Sequence, residues 1–228
     1  MIIKGLQETT LIDYPDKVAC TIFTFGCNFR CGFCHNPELI IDDGRLEIKK
    51  EEIMRFLDER KKFLDAVCIT GGEPTINKDL PDFISDIKSL GYLVKLDTNG
   101  SNPEMIGHLI DRNLVDYIAM DIKGPIELYD EIAKVKVDKE KIKKSVEIIK
   151  RKMKNYEFRI TLVPGLFEEE HVDMIGKWLG SVKLFYIQKF GNEKNLDKKF
   201  NSVQPFKKEE LEKFCELFRE YFEICNIR

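Results

Sequence analysis

Three cysteines stand within eight residues, in the run Cys27-Asn28-Phe29-Arg30-Cys31-Gly32-Phe33-Cys34-His35-Asn36. The spacing is C-x3-C-x2-C. Thiolates are soft ligands suited to iron–sulfur clusters and to zinc. Three thiolates on one short loop can each take one iron of a 4Fe–4S cube. The fourth iron then lacks a protein ligand, and such an open position is where a substrate can bind and react. A zinc site needs a fourth ligand. His35 directly follows Cys34, so its imidazole is poorly placed to reach the same metal. No second close cysteine pair completes a zinc set. The spacing favours an iron–sulfur cluster, with zinc as the standing alternative.

Other polar runs repeat one theme. Gly71-Gly72-Glu73-Pro74 begins about 37 residues after Cys34. Two glycines let backbone approach a ligand closely, and Glu73 can accept hydrogen bonds from an ammonium group. Alone, such a tetrapeptide is more often a turn. Asp97-Thr98-Asn99-Gly100 and Asp121-Ile122-Lys123-Gly124 follow further along. Each Asp could equally cap a helix. Arg159 reads as opening a strand, where a salt bridge is nearly as natural as a ligand contact. Gln188 ends another strand.

These runs need elements to position them. Val18 to Phe25, Ala66 to Thr70, Leu93 to Leu96, Val115 to Met120, Phe158 to Val163 and Val182 to Ile187 are apolar runs of strand length. Between them lie amphipathic stretches such as Leu80 to Leu90 and Lys139 to Lys154. In the latter, Ile142, Val146, Ile149 and Met153 share one face. A long C-terminal helix is expected over Phe206 to Ile224. Strand and helix alternate about six times, which predicts parallel strands joined by crossover helices. The expected fold is a partial (β/α)6 TIM-like barrel with a C-terminal helix. A doubly wound sheet is the alternative. We expect one domain over 1–228, with its core at about 18–190 and a helical extension at about 206–225. Each polar run except Arg159 follows a strand's C-terminal end, the edge where parallel α/β folds build sites.

Composition narrows the class. Net charge is −3, so no general attraction to nucleic acid or anionic membrane is indicated. No apolar run approaches a membrane span, and the N-terminus does not read as a secretory signal. A cytoplasmic protein is expected. The cysteines number seven, and their clustering suits metal chemistry better than a disulfide framework. Cys20, Cys68, Cys215 and Cys225 read as small core filler. The Lys-rich stretch from Lys134 to Lys154 reads as a solvated face, or as a docking surface for an acidic electron donor. Charged residues make up 34%, rich in Lys and Glu, a composition also seen in heat-adapted proteins.

The cysteine motif, with Phe33 just before its last cysteine, resembles that of the radical S-adenosylmethionine (SAM) superfamily. The resemblance implies one 4Fe–4S cluster on Cys27, Cys31 and Cys34, with SAM chelating the open iron. One electron from the cluster then cleaves SAM to methionine and a 5′-deoxyadenosyl radical. Gly72 and Glu73 match the family's GGE motif, with Glu73 facing the SAM ammonium. Phe33, with backbone near Cys34 and His35, is implied to pack beside the adenine. Asp97, Asn99, Asp121, Lys123 and Arg159 are implied to line the SAM site. Asp97, Asp121 and the SAM carboxylate repel, so Lys123 and a monovalent cation are expected to offset them. Some relatives carry a histidine where Gln188 stands.

Thr10-Leu11-Ile12-Asp13-Tyr14-Pro15, Phe23-Thr24-Phe25-Gly26-Cys27 and His35-Asn36-Pro37-Glu38 together resemble the anaerobic ribonucleoside-triphosphate reductase activating proteins. Pyruvate formate-lyase activating enzymes share the core motifs. The implied reaction removes a hydrogen from a glycine Cα of a large glycyl radical enzyme. Flavodoxin or ferredoxin is the implied electron donor. A radical SAM enzyme acting on a small molecule, such as a deazapurine-forming one, and a zinc-binding module are the other readings.

Overall fold

Apolar runs form strands, and amphipathic runs lie between them. The computed structural model describes residues 1–228. In chain order the elements are β1 (Ile3–Thr10), β2 (Ala19–Thr24), α1 (Lys50–Arg60), β3 (Ala66–Gly71), α2 (Leu80–Ser89), β4 (Leu93–Thr98), α3 (Pro103–Asp111), β5 (Tyr117–Asp121), α4 (Tyr129–Ala133), α5 (Lys139–Lys152), β6 (Tyr156–Leu162), α6 (Glu170–Leu179), β7 (Val182–Lys189), α7 (Lys208–Phe218) and β8 (Phe222–Ile227).

The eight strands form one sheet in sequence order. β1 runs antiparallel to β2, and every later neighbour is parallel. A doubly wound sheet reverses its strand order part-way. Here the order never reverses, so the sheet winds one way. β1 and β8 do not pair, so it stays an open, partial barrel. The crossover helices bury one face each. Ile142, Val146 and Ile149 of α5 are buried, while its lysines face outward. Lys144 pairs with Glu104 at 2.9 Å and Lys152 with Asp111 at 2.6 Å, both on α3. Much of the basic run is thus a solvated face with acidic neighbours.

The two outer strands differ from expectation. β1 carries weak apolar patterning, since only Ile3 and Thr10 are buried. Its pairing with β2 makes it a strand. The expected helix over Phe206 to Ile224 stops at Phe218. Arg219 N–H closes the last turn on Cys215 and Glu216 carbonyls. The chain then turns, and Phe222 and Cys225 pair with Val182 and Phe185 of β7. Phe222 falls at helical spacing after Phe218, so the period there fits either structure. Pairing with β7, which would otherwise be an edge, selects the strand. Arg159 also moves: it lies inside β6 rather than opening it.

Phe218 locks this end. Its ring lies 4.8 Å from Phe185 and 5.5 Å from Phe222, stacked on the latter. Phe218 is fully buried. Phe218→Ala should therefore destabilise the chain by about 3–5 kcal/mol, through lost burial plus a cavity. Urea unfolding checks this; a loss below 1 kcal/mol (on the order of a surface change) would contradict the packing described.

Candidate active site

The cysteine loop leaves the C-terminal end of β2 and is held by backbone from four other segments. Gly26 donates to the Leu39 carbonyl at 2.8 Å, and Glu73 N–H donates to the Gly26 carbonyl at 2.8 Å. Arg30 N–H reaches the Ala133 carbonyl at 2.8 Å. Asp197 and Leu196 N–H groups reach the carbonyls of Gly32 and Cys34 at 2.8 and 2.9 Å. The Gly-Gly pair has its reason here. A Cβ on Gly72 would stand 1.9 Å from the Gly26 carbonyl oxygen. Gly71 has φ +127 and lies against the Thr24 backbone. No side chain fits at either position while β3 meets the cysteine loop.

All three cysteines line a cavity of about 320 Å³ at the C-terminal ends of the parallel strands, a size typical of small-molecule sites. Phe33, His35, Gly72, Glu73, Asp97, Asn99, Asp121, Lys123, Arg159 and Gln188 line it too. Burial pushes the Cys27 thiol up to about 11 and raises Cys31 and Cys34 as well. The Lys123 ammonium opposes this at each sulfur. Thiols with raised pKa become thiolates when a metal displaces the proton. No three His, Cys, Asp or Glu side chains converge on a single-ion position. Three soft thiol donors lining one cavity fit a cluster that takes one thiolate per iron. Phe33 is buried and meets Phe200 edge-on at 6.2 Å.

Beneath the cysteines lies a charged layer. Arg159 donates through Nε and Nη2 to Asp121 Oδ1, at 2.9 and 2.8 Å. Its Nη1 donates to Asp97 Oδ2 at 3.0 Å. Lys95 Nζ holds Asp97 Oδ1 at 2.5 Å, and Lys123 Nζ lies 3.3 Å from Asp121 Oδ2. Every oxygen of the two carboxylates therefore faces a cation. Burial opposes ionisation of Asp121, but Arg159 and then Lys123 outweigh it and hold the carboxyl at about 2. Burial likewise opposes ionisation of Asp97, and Arg159 and Lys95 hold it below the usual range. The monovalent cation is expected to offset Asp97, Asp121 and the SAM carboxylate, and protein cations already face the first two. Neither Asp caps a helix: the cap of α3 is Asn102.

Glu73 is fully buried. Its Oε1 accepts from Thr75 N at 3.1 Å, from Thr75 Oγ1 and from Thr98 Oγ1 at 2.7 Å. Its Oε2 accepts from Asn99 N at 2.6 Å and keeps capacity for one further donor. Glu73 thus ties the turn after β3 to the end of β4. Asn99 continues outward, donating to Asn28 Oδ1 in the cysteine loop at 2.9 Å.

Several contributing residues escaped the sequence reading. Lys95 is buried inside an apolar strand. Glu157 is also buried, accepting from Tyr117 Oη at 2.8 Å and from Arg228 at 2.6 and 3.1 Å. The Arg228 guanidinium lies 3.5 Å from the Tyr186 ring centre. A period-2 signal points to them. Lys95/Asp97, Asp121/Lys123 and Glu157/Arg159 are opposite charges two residues apart, hence on one face of a strand or its end.

The radical SAM superfamily matches residues 21–177, more than half of the chain. The chain belongs to the radical SAM superfamily. Within it, the chain is 34% identical over 232 residues to a protein of Methanocaldococcus jannaschii named as a glycyl-radical enzyme activating enzyme. That match covers 100% of this chain and 95% of the relative, which places it in that family of activases. It is also 29% identical over 133 residues to the pyruvate formate-lyase-activating enzyme of Clostridium pasteurianum, covering 53% and 52% of the two chains. In fold, the radical SAM chain resembles Streptococcus suis SuiB bound to S-adenosylmethionine. The TM-score is 0.66 at 15% identity, over 90% of this chain and 48% of that one.

Two outcomes follow for this radical SAM enzyme. Gly72→Ala should leave the far-ultraviolet spectrum near wild type but lower iron per chain after anaerobic reconstitution, because the new Cβ displaces the Gly26–Cys27 backbone. Wild-type iron loading would refute that reading. For Asp121, the folded pKa of about 2 lies below its ordinary 3.8. Its ion pairs then support the fold fully above pH ~4 and lose that support as pH falls toward 2, a change of about 2 kcal/mol. Acid unfolding of the metal-free chain should show this loss, and Asp121→Asn should flatten it; parallel curves for both chains would count against it.

Proposed function

We propose that this enzyme installs a glycyl radical on a partner protein, most specifically an anaerobic ribonucleoside-triphosphate reductase. The observation that carries the reading is the single cavity onto which the three cysteines, the Gly-Gly-Glu turn and the Arg159 network all open. A 4Fe–4S cluster and SAM bound here would supply reductive SAM cleavage and the hydrogen abstraction that activates the partner's glycine. Cys27, Cys31 and Cys34 hold the cluster. Lys123 sets positive potential beside their sulfurs. Glu73 Oε2 would accept a hydrogen bond from the SAM ammonium through its remaining lone pair. Asn99, Asp97, Asp121 and Arg159 form the polar floor beneath SAM, already charge-balanced, so binding demands little rearrangement of charge. Phe33 and the backbone at Cys34 and His35 would flank the adenine. Gln188 lines the same cavity.

The full-length match supports a protein substrate. A local match favours a small-molecule reading less. The chain is 39% identical to the 7-carboxy-7-deazaguanine synthase of Aquifex aeolicus over only 77 residues, a third of each chain. The reduced electron donor is a flavodoxin or ferredoxin, and the setting is the anaerobic cytoplasm. No helix is long and apolar enough to cross a membrane.

The test is anaerobic. The reconstituted chain, SAM and a low-potential reductant are mixed with purified anaerobic ribonucleotide reductase or with pyruvate formate-lyase. Formation of 5′-deoxyadenosine and a glycyl doublet in the EPR spectrum with the reductase alone is expected. Cys31→Ala should abolish both signals. A doublet only with pyruvate formate-lyase would reassign the partner. Turnover of a small purine precursor with neither protein would overturn the activase reading.

A further inference from the structure

Cys215 on α7 and Cys225 on β8 bring their sulfur atoms to 2.7 Å. That lies inside the ordinary contact distance of two unbonded sulfurs. Both residues are almost wholly buried in the main core. Neither lines the active-site cavity. Between them the chain makes the turn at Arg219–Tyr221 that carries it from the last helix into the edge strand. That turn is already pinned: Tyr221 Oη donates to Asp173 at 2.6 Å, and Arg219 donates to the Cys225 carbonyl at 3.1 Å.

We propose that Cys215 and Cys225 are a modification site, forming a disulfide that staples α7 to β8. A disulfide needs facing side chains on backbones already close together. Sulfurs that meet in the folded chain satisfy this without backbone movement. The bond forms by exchange with a low-molecular-weight disulfide, RSSR. One cysteine thiolate attacks RSSR and expels RS⁻, leaving a mixed disulfide. The second thiolate attacks that protein sulfur and expels another RS⁻. The cysteine pair loses two electrons, RSSR gains them, and the two thiol protons end on two RSH.

Burial decides when this happens and how long it lasts. The thiolate is the reactive form, and burial raises the Cys225 thiol pKa far above its ordinary value. Exchange is therefore slow once α7 has docked and fastest while the chain folds. The same burial shields the finished bond from soluble thiols. The Lys- and Glu-rich composition is of the kind found in heat-adapted proteins, and intracellular disulfides are frequent in hyperthermophiles.

The test maps the bond directly. The holoprotein is incubated anaerobically with oxidised glutathione, and a second sample of the full chain is refolded in the same reagent. Both are unfolded in the presence of an alkylating agent, digested and mapped by peptide mass. A peptide joining Cys215 to Cys225, two hydrogens lighter than the dithiol pair, is expected. Peptide identity separates it from links among Cys27, Cys31 and Cys34. The oxidised chain should melt about 5–10 °C above the same chain in dithiothreitol. Cys225→Ser and Cys215→Ala should each lose both the link and the difference in melting. Alkyl label on both cysteines in both samples would overturn the proposal.

Discussion

Arg159 joins the carboxylates of two neighbouring strands, and the polar interior of the sheet is arranged around that join. Its guanidinium leaves β6, meets Asp121 on β5 and extends to Asp97 on β4. Charges taken out of water are costly unless well paired. Each partner therefore restricts where the others can lie. Lys95 fills the remaining oxygen of Asp97, and Lys123 faces that of Asp121. Replacing such a network by apolar residues can leave stability unchanged or even raise it. What it provides here is a floor of fixed charges beneath a pocket rimmed by thiols.

The cysteine loop depends on a different kind of constraint. It contains no regular element over Cys27 to Cys34, so its shape comes from what surrounds it. Two positions without side chains bring the end of β3 against its backbone. A loop from distant sequence, through Leu196 and Asp197, closes over the other side. Glu73 then connects this frame to β4 through Thr98 and Asn99. Sulfur positions are thereby set by backbone contacts, and the carboxylate of Glu73 acts chiefly as part of that frame.

Much of this is legible in the residues themselves. The cysteine spacing, the Gly-Gly-Glu turn and the two Asp-containing strand ends all meet in one cavity, because alternating strands and helices bring strand ends to a common edge. The inner β strands are legible because their apolar runs are continuous. β1 and β8 are not, since β1 lacks a buried face and Phe222 continues a helical spacing while pairing as a strand. The reason for the glycines is also hidden from one chain: a close ligand and a close backbone ask for the same residue. Lys95 and Glu157 were readable in principle. A charge two residues from its opposite in an apolar strand indicates an inward-facing pair. The partner across the sheet, Arg228, is 71 residues from Glu157 and leaves no local trace.

Arg228 gives the edge of the sheet a second role. It follows the last residue of β8, the outermost parallel strand, yet its side chain neutralises a carboxylate deep in the interior. Edge strands are ordinarily the first to fray, since one side of their backbone is unpaired. Here fraying would strand Glu157 without its bidentate counterion in a place water does not reach. An edge strand is thus coupled to a buried charge, so loosening at this periphery also exposes the interior to that cost.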